Sequence, residues 1–122
     1  MKVTAMAQAL AWAIFALGIG HMVFGLVRYR RPLLDAVAAG FIGRFDGSDA
    51  RRAAFWFLMC GLLLMLAGQV AIRSVAAGDL ALLRIVGGYA LISGALGVAA
   101  FPRSPFWLLL VLAPLLLGTA NG

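Results

Sequence analysis

A long uncharged stretch in the middle of the chain, from Ala53 to Ile72, constrains the fold more than any other feature. It contains twenty residues and no charge, and its one strongly polar side chain is Gln69. As a helix it would be ~30 Å long, which matches the hydrocarbon thickness of a bilayer. Arg51 and Arg52 precede it and Arg73 follows it. We therefore predict a membrane-spanning helix here.

The composition also indicates a membrane protein. Of 122 residues, 65% are hydrophobic, whereas apolar residues are near half in a soluble domain. A bilayer acts as the solvent for this excess apolar surface. The formal net charge is +6, but the basic residues flank apolar runs, where arginine anchors helices and contacts lipid phosphates. We expect a single domain, residues 1–122, in a cell membrane, with no nucleic-acid partner.

Three further apolar runs extend from about Ala7 to Val27, Leu80 to Phe101 and Phe106 to Gly118. The first is longer than a signal-peptide core, and Arg28 follows it instead of a small-residue cleavage site, so we predict an uncleaved spanning helix. The last is short and carries Pro114, which predicts a kink or a locally thinned bilayer. The predicted fold is all-α, an integral membrane bundle of four transmembrane helices.

The connection from Arg28 to Arg52 has amphipathic spacing. Pro32 suits a first helical position, and apolar residues recur every three or four positions from Leu34 to Phe45. This pattern predicts a short amphipathic helix in the membrane interface, between the first and second spanning helices. A loop that packs on the bundle is the alternative. Ser48 or Asp49 could then cap the next helix.

Small residues recur on one side of the first and third helices, where they let helix backbones approach closely. They are Gly18, Gly20 and Gly25 in the first helix, and Gly87, Ala90, Gly94 and Gly97 in the third. A homodimer through such faces is a candidate assembly. Between the second and third helices, Ser74 to Asp79 is predicted to form a turn.

The distribution of basic residues predicts the orientation. The first and third connections carry seven lysines and arginines, against three around the N-terminal tail and second connection (Lys2, Arg73 and Arg84). The positive-inside rule then places both termini outside and the connection 28–52 in the cytoplasm. We expect Arg84 to snorkel to the interface. Membrane lipids are the expected partners, with anionic headgroups as ligands of five arginines. These are Arg28, Arg30, Arg31, Arg51 and Arg52.

Ionisable residues at membrane depth are functional hypotheses by default, and the one histidine, His21, is the best example. Helix rise places His21, Cys60 and Ser93 at a similar depth. We predict a candidate ligand-binding pocket lined by His21, Trp56, Cys60, Tyr89 and Ser93, with His21 as the candidate catalytic residue. The alternative is that His21 donates a ring N–H to a serine, a tyrosine or a backbone carbonyl and fixes helix packing.

Several classes of chemistry are excluded by composition. Cys60 is the only cysteine, so neither an intrachain disulfide nor a paired-cysteine redox centre can form. The chain has no glutamate, and every aspartate lies in a connection. A serine–histidine–acid triad and a proton antiporter that uses an embedded carboxylate are therefore disfavoured. One histidine and one cysteine cannot build an ordinary metal site, so we expect no metal and no cofactor.

Three segments carry a resemblance to known proteins: Gly18 to Gly25 around His21, Ala54 to Gly68, and Pro102 to Leu108. On these segments the chain resembles a family of small bacterial four-helix membrane proteins of unassigned function. It is more loosely similar to DoxX-like membrane proteins. The resemblance implies the four-helix fold and supplies no catalytic residue.

Two function hypotheses follow. The first is a non-enzymatic bundle that binds lipid or another apolar molecule, or serves as a partner subunit. The second is a membrane enzyme acting on an apolar substrate such as a quinone, an isoprenoid or a sterol-like molecule, with His21 as acid–base group. A channel is disfavoured because polar lining is scarce. An open cavity beside His21 would favour the enzyme, and a tightly packed, hydrogen-bonded ring would favour the first hypothesis.

Overall fold

The computed structural model describes the backbone of residues 2–121 and the side chains of residues 4–121. Met1 and Gly122, both predicted to lie on the side of the membrane away from the cytoplasm, are not among the described residues. The helices are α1 (Lys2–Arg28), α2 (Arg30–Ala38), α3 (Asp49–Ala77), α4 (Leu80–Ala100) and α5 (Phe106–Asn121), with a 3₁₀ turn at Phe45–Gly47. All regular structure in residues 2–121 is helical, which confirms the predicted all-α class.

Three helices are long and apolar enough to cross a membrane by length and composition. They are α1 over Thr4–Arg28, α3 over Asp49–Ala77 and α4 over Leu80–Ala100. The fourth apolar helix, α5, has 16 residues and is therefore ~24 Å long, shorter than the hydrocarbon layer of a typical bilayer. Pro114 lies within it without ending it.

The turn predicted for Ser74 to Asp79 is shorter in the structure, because α3 continues to Ala77. Helix α3 ends in a Schellman motif, in which the Gly78 N–H donates to Val75 O and the Asp79 N–H donates to Ser74 O. Gly78 has a φ of 71°, which a glycine adopts without steric cost. Asp79 then caps α4, because its side chain accepts a hydrogen bond from Leu82 N at 3.0 Å.

The amphipathic helix predicted between the first two spans is present as α2, but it ends at Ala38 and does not reach Phe45. A second Schellman motif ends it, with hydrogen bonds from Gly40 N to Val37 O and from Phe41 N to Ala36 O. Gly40 and Phe41 both have positive φ angles, 117° and 66°, so the helical path stops there. Of the apolar residues beyond this point, Phe41 and Ile42 are exposed in a loop, and Phe45 begins the 3₁₀ turn.

The chain forms two compact units. The first unit contains the residues up to Ala16 and those from Leu66 onward, and the second unit contains Leu17–Met65. In the first unit α4 packs along α5, and the predicted small-residue side of α4 supplies the contact: Gly87, Ala90, Gly94 and Gly97 are all buried. A β-carbon at Gly94 would lie 2.9 Å from the Leu110 backbone nitrogen, and one at Gly87 would lie 2.8 Å from Leu117 Cδ2.

Arg84, near the start of α4, binds the end of α5 within the first unit. Its Nε donates to Asn121 Oδ1 at 2.8 Å, and its terminal NH2 group donates to Ala120 O at 3.3 Å. The predicted snorkelling arginine therefore binds the last turn of α5. A cation at this position also stabilises the negative end of the helix dipole.

In the second unit the C-terminal half of α1 packs on the N-terminal half of α3. Gly18 and Gly25 are buried, and β-carbons there would lie 2.7 Å from Met65 N and 2.6 Å from Phe57 Cδ1. Gly20 behaves differently, because no atom lies within 4 Å of the position that a β-carbon would occupy there. Two of the three α1 glycines predicted to allow close packing therefore do so in this unit.

Candidate functional site

His21 lies in the second unit, against the first half of α3. Its ring stacks on the Phe57 ring with centroids 3.9 Å apart and planes 12° from parallel. Its Nε2 lies 3.0 Å from the carbonyl oxygen of Phe57. A carbonyl can only accept a hydrogen bond, so this contact requires a proton on Nε2. The ring is therefore fixed by two different interactions with one residue.

Gly61 explains why a side chain can reach this carbonyl. In an α-helix the Phe57 carbonyl accepts from the N–H of Gly61, one turn further along, and the side chain there normally covers the carbonyl. Glycine leaves that position open. A β-carbon at Gly61 would lie 3.1 Å from His21 Cδ2 and 2.6 Å from Met22 Sδ. His21 and Met22 thus fill the space that the missing side chain leaves.

The other predicted pocket residues lie in different surroundings. In the second unit Trp56 is 63% exposed and contacts the Phe55 ring edge-on, while Cys60 is also exposed. Tyr89 and Ser93 lie on α4 in the first unit, and both are exposed. The five-residue pocket stays a prediction. The structure does bring His21 together with Phe57 and Gly61, a contact that was not predicted from the sequence. A glycine four residues after an aromatic residue was the signal for this contact.

A basic groove lies at the corner between α1 and α2, also in the second unit. Its volume is about 510 Å³, and it is lined by residues 27–32 and Ala50. We call it the basic groove below. Three of its lining residues are arginines, Arg28, Arg30 and Arg31, and none is acidic. Tyr29 anchors the corner, because its ring centroid is 5.2 Å from that of Phe57.

The structure divides the five arginines predicted as headgroup ligands into two sets. Arg51 donates to Arg44 O at 3.1 Å, and Arg52 donates to Asp46 O at 2.9 Å and forms an ion pair with Asp49. Ser48 Oγ accepts from Arg51 N, which confirms the predicted Ser48 cap of α3. Arg51 and Arg52 therefore organise the 3₁₀ turn before α3.

The three arginines of the basic groove differ from Arg51 and Arg52 in their side-chain contacts. Within the described residues, none of their side chains makes a hydrogen bond or an ion pair. Arg28 has one aromatic contact, with its guanidinium carbon 5.6 Å from the centroid of the Tyr29 ring. All three side chains are exposed. The groove therefore concentrates positive charge, and no acidic side chain among the described residues forms an ion pair with it.

A smaller groove of about 210 Å³ lies between the 3₁₀ turn and α3 in the same unit. A row of aromatic rings runs beside it, from Phe41 to Phe45, Phe55 and Trp56, with successive centroids 5.2–5.5 Å apart. Phe41 is 55% exposed and the adjacent Ile42 is 87% exposed. Exposed aromatic and aliphatic side chains next to basic residues are typical of a membrane interface.

These features define an all-α protein in which three helices have the length and composition to span a bilayer. The chain belongs to DUF6463, a family of unknown function, whose model matches residues 5–121. Membership of a family without an assigned function is thus confirmed, and the looser similarity to DoxX-like proteins stays a prediction. No curated protein and no solved structure gives a significant match to the chain.

Proposed function

We propose that the protein is a multi-pass bacterial inner-membrane protein with a non-enzymatic role, which binds lipid or another apolar molecule or serves as a partner subunit. The observation that carries this proposal is the state of His21. Its ring is stacked on Phe57 and bonded to the Phe57 carbonyl, and neither groove of the second unit includes it. A histidine held in this way serves helix packing. An acid–base catalyst would need a substrate beside the ring.

The proposal includes α5 as a fourth span. Residues 106–121 contain no charged side chain, and α5 packs along the glycine-rich side of α4. A 16-residue helix is short for a bilayer, but local thinning accommodates such a mismatch at modest cost. With four spans the two termini lie on the same side. The arginine distribution supports both termini outside and residues 28–52 in the cytoplasm.

Single-cysteine labelling tests the number of spans and the orientation together. Cys60→Ser removes the only cysteine, and single cysteines are then introduced by Asp46→Cys, Ala77→Cys, Ser104→Cys or Gly122→Cys. We expect a membrane-impermeant maleimide applied to intact spheroplasts to label the Ala77 and Gly122 positions. The Asp46 and Ser104 positions should react only after permeabilisation. Labelling of the Ser104 and Gly122 positions from the same side would refute the fourth span.

The non-enzymatic role is tested by what the protein retains when it is extracted in native bilayer patches. His21→Phe keeps a flat ring that can stack on Phe57 and removes every proton that the histidine could transfer. We expect mass spectrometry to find the same phospholipids with the parent and with the variant. A discrete quinone, isoprenoid or sterol-like compound that is bound by the parent and lost from His21→Phe would show a binding pocket at His21, and chemical conversion of that compound by the parent but not by His21→Phe would contradict the proposal and support the enzyme.

A homodimer remains part of the proposal, but the glycine contacts restrict where it would form. Gly87, Gly94 and Gly97 are covered by α5 within the first unit. Gly20, Gly88 and Gly118 have no atom within 4 Å of the position that a β-carbon would occupy. A dimer built on close helix approach would therefore use this second set of glycines. Cross-linking through cysteines introduced at Gly20 or Gly88 tests this contact.

A further inference from the structure

The basic groove combines three properties that a phosphate ligand requires. It carries three arginines whose guanidinium groups have no hydrogen-bond or ion-pair partner among the described residues. It has a volume of about 510 Å³, within the range of small-molecule sites. A guanidinium group can also bind two phosphate oxygens at once, in a bidentate geometry that lysine cannot reproduce.

The remaining walls of the groove are suited to the apolar part of a lipid. Val27, Pro32 and Ala50 line it beside the arginines, and Val27 is 70% exposed. Val27 and Arg28 are the last two residues of α1, whose apolar segment begins at Thr4. If α1 crosses the bilayer as proposed above, Arg28 is at the level of the phosphates and Val27 is at the level of the first acyl carbons.

We propose that the basic groove binds the phosphate of one anionic phospholipid, with Arg28, Arg30 and Arg31 as its ligands. This inference rests on the proposed membrane location. Arg51 and Arg52 are not part of the site, because their side chains already bind Arg44 O, Asp46 O and Asp49. An anionic lipid is favoured over a zwitterionic one because it brings no ammonium group toward three unpaired arginines.

The test is a lipid titration of the full chain in detergent, followed by native mass spectrometry. The probes are dioleoyl phosphatidylglycerol and dioleoyl phosphatidylcholine, with inorganic phosphate as a soluble competitor. The test variant is Arg30→Gln with Arg31→Gln. Its matched control is Arg73→Gln with Arg103→Gln, which removes the same two charges from exposed arginines that do not line the groove. Circular dichroism checks that each variant retains its helix content.

We expect the parent to bind the first phosphatidylglycerol more tightly than the first phosphatidylcholine. Because each arginine that contacts an anionic headgroup contributes about fivefold to its binding, the groove variant should lose roughly 25-fold in affinity for phosphatidylglycerol. The control should change by less than about twofold, since its arginines lie outside the proposed site. If the double variant loses its helix content, Arg30→Gln alone replaces it, and its affinity for phosphatidylglycerol should fall about fivefold.

Besides equal binding of the two lipids by the parent, two results would overturn the inference. Equal losses in the groove variant and the control would show that net charge alone attracts the lipid. Displacement of phosphatidylglycerol by inorganic phosphate at equal concentration would show a site for free phosphate, since the acyl chains would then contribute nothing. Both results are separable from failure of the proposed function. A chain that passes the cysteine-labelling test but binds both lipids equally would refute the lipid site alone.

Discussion

The close approach of α4 and α5 in the first unit gives a prediction whose size can be worked out atom by atom. In Gly94→Ala the new β-carbon would lie 2.9 Å from Leu110 N and 3.1 Å from Leu110 Cα, both inside ordinary contact distance. These are backbone atoms in a helix, so α5 as a whole must shift. Overpacking of this kind costs about 1–3 kcal/mol, against a gain of at most ~1 kcal/mol from better helix propensity. We expect Gly94→Ala to destabilise the protein.

Gly88→Ala is the matched control, because it lies on the same helix and no atom is within 4 Å of its β-carbon position. Within a single chain only the propensity gain applies there, so for protein diluted to one chain per micelle the free energy of unfolding should stay equal or rise by up to ~1 kcal/mol. Reversible unfolding in mixed micelles of sodium dodecyl sulfate, followed by circular dichroism, measures both variants. The reasoning would be refuted if Gly94→Ala were as stable as Gly88→Ala or more stable.

Two smaller predictions concern single hydrogen bonds, and the same unfolding assay measures both. His21→Phe keeps the stack on Phe57 and removes the bond to its carbonyl, so it should cost about 0.5–1.5 kcal/mol; an unchanged stability would mean that the stack alone holds the ring. Asp79→Ala removes the cap that accepts from Leu82 N and should cost ~1 kcal/mol. Asp79→Asn, which can still cap α4, should recover most of that loss, and no recovery would argue against capping.

The positions of the apolar helices were accessible from sequence because hydropathy reports directly on burial in a bilayer. Their ends were less accessible. The apolar run ends at Ile72, yet α3 continues through Arg73 and Ser74 to Ala77. Backbone hydrogen bonds continue a helix regardless of hydropathy, and the Ser74 hydroxyl also bonds back to Val70 O at 2.6 Å. Gly78 marks the true end of the helix, since it adopts the positive φ that a Schellman motif needs.

In the amphipathic connection the helix is shorter than the sequence pattern, whereas α3 is longer than its apolar run. The spacing of apolar residues continues past Ala38, but Gly40 interrupts the helix and Phe41 follows it into the left-handed region. Periodicity alone does not detect a backbone reversal. A glycine at the expected C-terminus was the stronger signal.

The candidate site shows what a depth argument can and cannot supply. Counting helix rise places residues at a level in the membrane, but it does not give the rotation of each helix about its axis. His21 could therefore be singled out by its depth as a polar residue within an apolar run, while its contact with the Phe57 carbonyl depends on an open position at Gly61. The basic residues 28–31 were also evident from sequence. Which arginines remain unpaired depends on the fold of the 3₁₀ turn.

Arg84 provides a second link between α4 and α5, separate from the peptide segment that connects them. At one end the helices are joined covalently through residues 101–105, where Trp107 Nε1 also donates to Pro102 O at 2.8 Å. At the other end Arg84 binds the final turn of α5. The peptide connection is therefore only one of the links between these helices. A protein divided within residues 101–105 and produced as two separate polypeptides should reassemble, with α5 recovered in association with the remainder.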